Sequence, residues 1–222
     1  MQQPLYAVYG AGGYGREVMP LARAQLQAQM LAGQLSPERL VFIVDGAGES
    51  RINGQQVMSY QDFLAADAVE KHVAIAIANS VERERLAQRL SADGIGAWTL
   101  QAMNSVIMDQ SIIADGAILS PFVTITSNAS IGAHFHANIY SYVAHDCVIG
   151  DFVTFAPGVK CNGHIVVEDH AYIGTGAILR PGSKGAPLII GRGAVIGMGA
   201  VVTKNVAAGE TVVGNPARAL QK

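Results

Sequence analysis

The residues best suited to chemistry are His145 and Asp146, adjacent in Ala144-His-Asp-Cys-Val-Ile-Gly150. An imidazole titrates near neutrality, so it can take a proton from an attacking amine or hydroxyl and later return it. A neighbouring carboxylate fixes the ring's tautomer and raises its basicity. The competing reading is a surface histidine in a turn. No outward nucleophile adjoins His145, so direct transfer without a covalent intermediate is expected. Cys147 and Cys161 fall at inward positions and read as core thiols. A second constellation is Gly10-Ala-Gly12-Gly13-Tyr14-Gly15, with Asp45 further on. Glycines there let the backbone turn tightly and approach a phosphate, which a helix N-terminus stabilises; the acid can bond a ribose or base. A tight turn needed only for packing is the alternative.

Two kinds of element must position these groups. Leu5–Tyr9 and Val41–Val44 read as buried strands, with a helix from about Arg16 to Leu31 between them. Pro20 is tolerable only near that helix's first turn. A short strand over Val57–Tyr60, a helix over Gln61–Ala68, a strand over Val73–Ala78 and a helix from Val81 to Leu90 capped by Ser80 complete an alternating β-α order. That order predicts a Rossmann-like parallel α/β domain over residues 1–103.

From there the period changes to six. Ile107, Ile113, Leu119, Ile125, Ile131, Ala137, Val143, Ile149, Phe155, Cys161, Val167, Ile173 and Leu179 are all apolar. The phase slips near Ser183–Leu188, an inserted loop, and resumes at Ile190 and Ile196. A helix cannot hold a six-residue repeat; short strands joined by turns can, with three hexads to a triangular coil. Residues 104–222 are therefore predicted to form an all-β parallel β-helix. His145 lies two places beyond the inward anchor Val143, so its ring should point outward.

Composition narrows the function classes. The 222 residues carry 15 Lys and Arg against 17 Asp and Glu, so no basic footprint for nucleic acid is present. Charged residues are only 14%, which suggests surface covered by other subunits. No apolar run approaches the length of a membrane span, and no signal peptide is visible. With two cysteines, a disulfide framework is not expected and a cytoplasmic location is the default.

Hexads of the form Ile-Gly-x-x-small-x resemble those of the left-handed β-helix acyltransferases. Gly10 to Val18, His145-Asp-Cys-Val-Ile-Gly-Asp151, Gly199-Ala-Val-Val-Thr-Lys204 and Val213-Gly-Asn-Pro-Ala-Arg218 narrow the resemblance to the sugar O-/N-acyltransferase family typed by NeuD and PglD. It implies acetyl transfer from acetyl-CoA, without a metal, to a nucleotide-linked amino sugar in surface glycan synthesis. It also implies a homotrimer with CoA between neighbouring β-helices. His145 would be the base, Asp146 its support and Asn138 a residue that positions it. The N-terminal domain would hold the acceptor through Gly10, Gly12, Gly13, Tyr14, Gly15, Asp45, Gly46 and Asn79. Thr154, Gly163, Thr175, Met198 and Gly199 would line the pantetheine groove. The tetrahedral intermediate needs an oxyanion donor; a backbone N–H near Gly163, one coil on, is a candidate, and the sequence does not identify it. Lys204 and Arg218 would meet the CoA phosphates.

The chain departs from the family pattern at Tyr14 and Thr154, where many members have histidine, and in a longer link over Leu31–Arg39. Three alternatives stand beside the N-acetyltransferase reading: O-acetylation of sialic acid or another sugar, a non-catalytic sugar-binding subunit, and a zinc enzyme like the γ-type carbonic anhydrases. The zinc reading needs a His-x4-His pair, whereas His134 and His136 are two apart and His164 and His170 six apart. His134, His136 and His170 are expected at the surface or a subunit interface, and His164 could line the active groove.

Overall fold

The computed structural model describes residues 2–46 and 49–220. It divides into two compact units, Met1–Leu100 and Gln101–Lys222. The first contains β1 (Leu5–Tyr9), α1 (Gly13–Leu31), β2 (Leu40–Val44), β3 (Arg51–Ile52), β4 (Gln55–Ser59), α2 (Tyr60–Ala65), β5 (Lys71–Ile75), α3 (Ser80–Ala92) and β6 (Gly96–Ala97). The sheet order is β3-β4-β2-β1-β5-β6, parallel except for the β3–β4 hairpin. Ala7, Val8, Val41, Phe42 and Ile43 are all buried, as strands covered on both faces require. The chain proceeds from β1 to β2 on one side and later to β5 on the other. The loops after β1 and β5 therefore flank the reversal of strand order, where open α/β sheets bind ligands.

Two local expectations shift. Helix α1 continues through Pro20, well beyond its first turn. Pro20 and Arg16 are both exposed, so water can satisfy the Arg16 carbonyl that loses its amide partner. Asn79, rather than Ser80, caps α3: its side chain accepts from the Glu82 N–H at 3.0 Å.

The second unit is a β-helix of three sheets, here called first, second and third faces, parallel except where Arg218–Ala219 returns antiparallel to Thr211–Val213 at the end of the first. The first face runs from Leu100–Gln101 through His136–Ala137 and Thr154–Phe155; the second includes Tyr142–Val143 and Lys160–Cys161; the third includes Val148–Ile149 and Ile165–Val167. Tyr142 pairs with Lys160 and Val143 with Cys161, a coil of eighteen residues. Alternate residues point inward, and Val143, Ile149, Phe155, Cys161, Val167 and Ile173 pack into one continuous core.

Most corners turn through a residue with positive φ, including Asn128 at 61°, Asp146 at 58° and His164 at 56°. This conformation costs an L-residue on the order of 1 kcal/mol. Stacking down the corners offsets part of that cost. His134, Phe152 and His170 stack at 5.2 and 5.4 Å, and Phe122 on Tyr140 at 4.8 Å. The phase slip is a loop closed by a Ser183–Ala186 bridge.

The expected exposure of two histidines is corrected. His134 and His136 are buried, at 8% and 1% exposure. His134 lies against Phe152 in the corner stack, and His136 sits in the first-face ladder between buried Ile118 and Thr154.

Candidate active site

His145 and Asp146 form the corner between the second and third faces, and Gly163 and His164 form the same corner one coil on. The positive φ at Asp146 turns its side chain back along the surface towards its neighbour. Nδ1 of His145 lies 2.8 Å from Oδ2 of Asp146. A proton on Nδ1 donates to the carboxylate and leaves the Nε2 lone pair as acceptor. Both groups are open to solvent, so a substrate can reach them. The His145 hydrogen bond holds the Asp146 carboxyl below the usual carboxylate range, against the opposing effect of burial and with lesser help from His164, the His145 charge and Asn128. His164 stands edge-on to His145, ring centroids 5.2 Å apart at 90°, with Nε2 3.7 Å from the same Asp146 oxygen.

The floor of this corner is Gly163. A Cβ there would stand 2.6 Å from both Cε1 and Nε2 of His145. Its carbonyl accepts from the Gly182 N–H at 3.0 Å. Among the described residues its own N–H has no acceptor, so a donor is available beside the base. Beneath it, Cys147 and Cys161 are fully buried and Cys147 Sγ donates to the Asn162 carbonyl at 3.0 Å. They are core thiols, as the pattern indicated.

In the α/β unit the glycine-rich loop divides its labour. A Cβ at Gly15 would stand 1.9 Å from the Gly10 carbonyl oxygen, and one at Gly10 would meet the Ile77 side chain and the Ala76 carbonyl. These two glycines let α1 close on β1 and the β1 loop approach the β5 loop. Gly12, Gly13 and Gly46 face open space, as a ligand contact would require. Arg83 is fully buried and donates to the carbonyls of Ile77 and Ala78 at 2.8 and 3.2 Å, holding the β5 loop in place. Burial pushes its guanidinium down to about 10. Asp45 accepts from Tyr9 Oη at 2.6 Å and from Arg89 at 3.0 Å. Arg89 also lies 3.6 Å over the Tyr60 ring, whose hydroxyl donates to Asp93. Burial raises the Asp45 carboxyl, but those two hydrogen bonds and the Arg89 charge hold it below its usual range. Asn79 is engaged as the α3 cap.

Comparison with known proteins decides the family. Residues 6–90 match the model described as the PglD N-terminal domain. Over 218 residues, 98% of this chain and 97% of the relative, the sequence is 51% identical to GDP-perosamine N-acetyltransferase of Escherichia coli O157:H7. The chain belongs to the NeuD/PglD-type sugar acyltransferase family. Among solved structures of similar proteins, WeeI from Acinetobacter baumannii AYE superposes with a TM-score of 0.93 at 57% identity, covering 98% of this chain and all of WeeI. The acetyltransferase domain of PglB from Neisseria gonorrhoeae FA1090, solved with acetyl coenzyme A, gives 0.84 at 26% identity, covering 99% of this chain and all of that domain. This NeuD/PglD-family member is an acyltransferase, and the zinc-enzyme alternative falls with that assignment. Of its five repeat-half histidines, His134 and His170 flank Phe152, His136 is on the first face, and His145 and His164 share one corner, where a nitrogen of each ring and an Asp146 oxygen lie within 4.8 Å of one another.

The residues carried over from the NeuD/PglD pattern are distributed along two edges. Gly199 N–H donates to the Thr175 carbonyl at 2.8 Å, and Met198 beside it is 81% exposed; all three form the corner between the first and second faces. Lys204 and Arg218 line one pocket of about 210 Å³ with Thr203, Asn205 and Glu210. Asn138 also belongs to the first–second corner and donates to the Phe155 carbonyl at 3.2 Å, so within one chain it does not bond His145. Seven residues in a six-residue repeat bring a side chain to the next corner, not to the same one. Thr154 is buried on the first face, opposite the His145 corner. Sequence reading missed Arg83, Arg89 and Asn128. Arg83 and Arg89 sit in a charged helix that looks solvent-exposed, and only the eighteen-residue coil places Asn128 beside Asp146.

Proposed function

We propose that the chain transfers the acetyl group of acetyl-CoA to the amine of a GDP-linked amino sugar of the perosamine type. The observation that carries this reading is the His145–Asp146 pair seated over Gly163 in a chain so close to a GDP-perosamine N-acetyltransferase. His145 Nε2 takes the proton that the amine loses on attacking the thioester carbonyl, and Asp146 stabilises the imidazolium. The Gly163 N–H bonds the oxyanion of the tetrahedral intermediate. The departing thiolate recovers the proton from His145. The Gly10–Gly15 loop and the ends of β2 and β5 hold the nucleotide; Thr175, Met198, Gly199, Lys204 and Arg218 hold CoA.

The base and the groove residues Thr175, Met198 and Gly199 lie on different edges of one β-helix, so a site containing both takes two copies. A closed homotrimer repeats that contact three times, and Asn138 then serves a neighbour's His145. Outward apolar side chains at Val106, Ile112, Phe122, Tyr140 and Val148 supply surface for it. No helix among the described residues is long and apolar enough to cross a membrane. A cytoplasmic location would put the enzyme where acetyl-CoA and nucleotide sugars are made.

The test is CoA thiol release with GDP-, UDP- and dTDP-linked 4-amino sugars and with free sialic acid. Turnover on the GDP sugar, lost in His145→Ala, is expected. A preference for sialic acid would move the reaction to O-acetylation, and a fully active His145→Ala would remove the base assignment.

A further inference from the structure

We infer that His164 is a second proton acceptor, which takes the first proton from the incoming ammonium before His145 takes the next. The inference rests on the N-acetylation reading above and assigns a step that His145 alone leaves open.

The proton count requires such a step. A sugar amine arrives near neutral pH largely as R–NH3+, its pKa about 8 like that of an α-amino group. The amide product keeps one N–H, so two protons leave nitrogen in each turnover. One ends on the CoA thiolate and the other in solvent. His164 removes the first, giving R–NH2 with a free lone pair. The nitrogen attacks the thioester carbon, the C–N bond forms and the carbonyl pair moves to oxygen. His145 removes the second proton. The C–S bond then breaks with its electron pair on sulfur, and the thiolate takes that proton back from His145. His164 releases its own proton to water.

The geometry suits this order. His164 is part-exposed, with 28% of its side chain accessible, and so has a route to solvent. Its ring stands edge-on to His145 at 5.2 Å, so one amine at the corner is within reach of both. Asp146 lies 2.8 Å from one imidazole and 3.7 Å from the other, so its carboxylate stands beside both rings. Two adjacent imidazolium ions would repel, which makes the transfers sequential. The titratable groups facing His164 among the described residues are Asp146 and His145. The following coil meets it through backbone, the Leu188 N–H donating to its carbonyl at 3.2 Å.

The test is kcat/KM for the amino-sugar acceptor in the wild type, His164→Asn and His164→Gln, from about pH 6.5 to about pH 9.5, spanning the amine pKa. The expected deficit is at least about tenfold at the acid end and closes as the acceptor arrives deprotonated. A partly misfolded preparation lowers activity by one factor at every pH, so the slope of the ratio survives it. A deficit constant with pH, or none, overturns the proposal. The base reading is tested separately: His145→Ala loses turnover at every pH, and activity retained there sinks that reading whatever His164 does.

Discussion

The ring of His145 rests on the α-carbon of Gly163, eighteen residues further along the chain, with Cε1 and Nε2 as the atoms a side chain would strike. The base is thus positioned from below by the absence of a side chain and from the side by Asp146. Gly163→Ala should push the ring off its seat and tilt the neighbouring N–H. A displacement of about 1 Å costs roughly a hundredfold in kcat. Steady-state kinetics should show that fall with little change in the KM for acetyl-CoA, and thermal unfolding should show a folded protein. Unchanged kcat would mean that the ring is not held there during turnover.

Asp146 predicts a particular pH behaviour. The His145 hydrogen bond lowers its carboxyl. A lowered carboxyl contributes its charge above its ordinary value of about 4 and loses it only as pH falls through the lowered one. Across about pH 5 to 9 the carboxylate is therefore charged throughout. Asp146→Asn should reduce the kcat/KM plateau by about ten- to a hundredfold and leave an acid limb in the profile. Disappearance of that limb would assign the titration to Asp146.

Much of this was legible in the sequence because the six-residue repeat fixes which side chains point inward. Once Val143 is an inward anchor, His145 must face out. The alternating β-α order and the glycine loop were equally plain. Relations across coils were harder to see. Asn138 and His145 are close in sequence yet occupy different corners, whereas His145 and Gly163 are distant and touch. Burial of His136 was hidden because its outward position in the repeat predicts exposure. Pro20 misled the helix reading because its cost depends on whether the Arg16 carbonyl can reach water.

The glycine loop separates structural from ligand-facing positions. At Gly15 an added methyl meets the Gly10 carbonyl at 1.9 Å, which backbone must move to relieve; at Gly12 it meets nothing within 4 Å. Gly15→Ala should therefore lower stability by at least about 1–3 kcal/mol, seen as an earlier denaturant midpoint. Gly12→Ala should leave the midpoint in place and raise the KM for the nucleotide sugar. If the two variants behave alike, the loop has no ligand role distinct from packing.

The Tyr60–Arg89–Asp45 cluster carries an alkaline signature. Tyr60 is 3% exposed, and burial, then its hydrogen bond to Asp93, raises its hydroxyl to about 12. An acid whose pKa is raised by folding contributes stability that is fully present below its unfolded value of about 10 and is lost as pH rises through the folded one. The wild type should therefore lose stability between about pH 10 and 12. Tyr60→Phe removes that titration while keeping the ring under Arg89, so it should be less stable than wild type at neutral pH and show a shallower alkaline decline. Denaturant midpoints at about pH 8 and about pH 11 measure the difference. Parallel declines in the two proteins would show that the Tyr60 hydroxyl does not couple to folding.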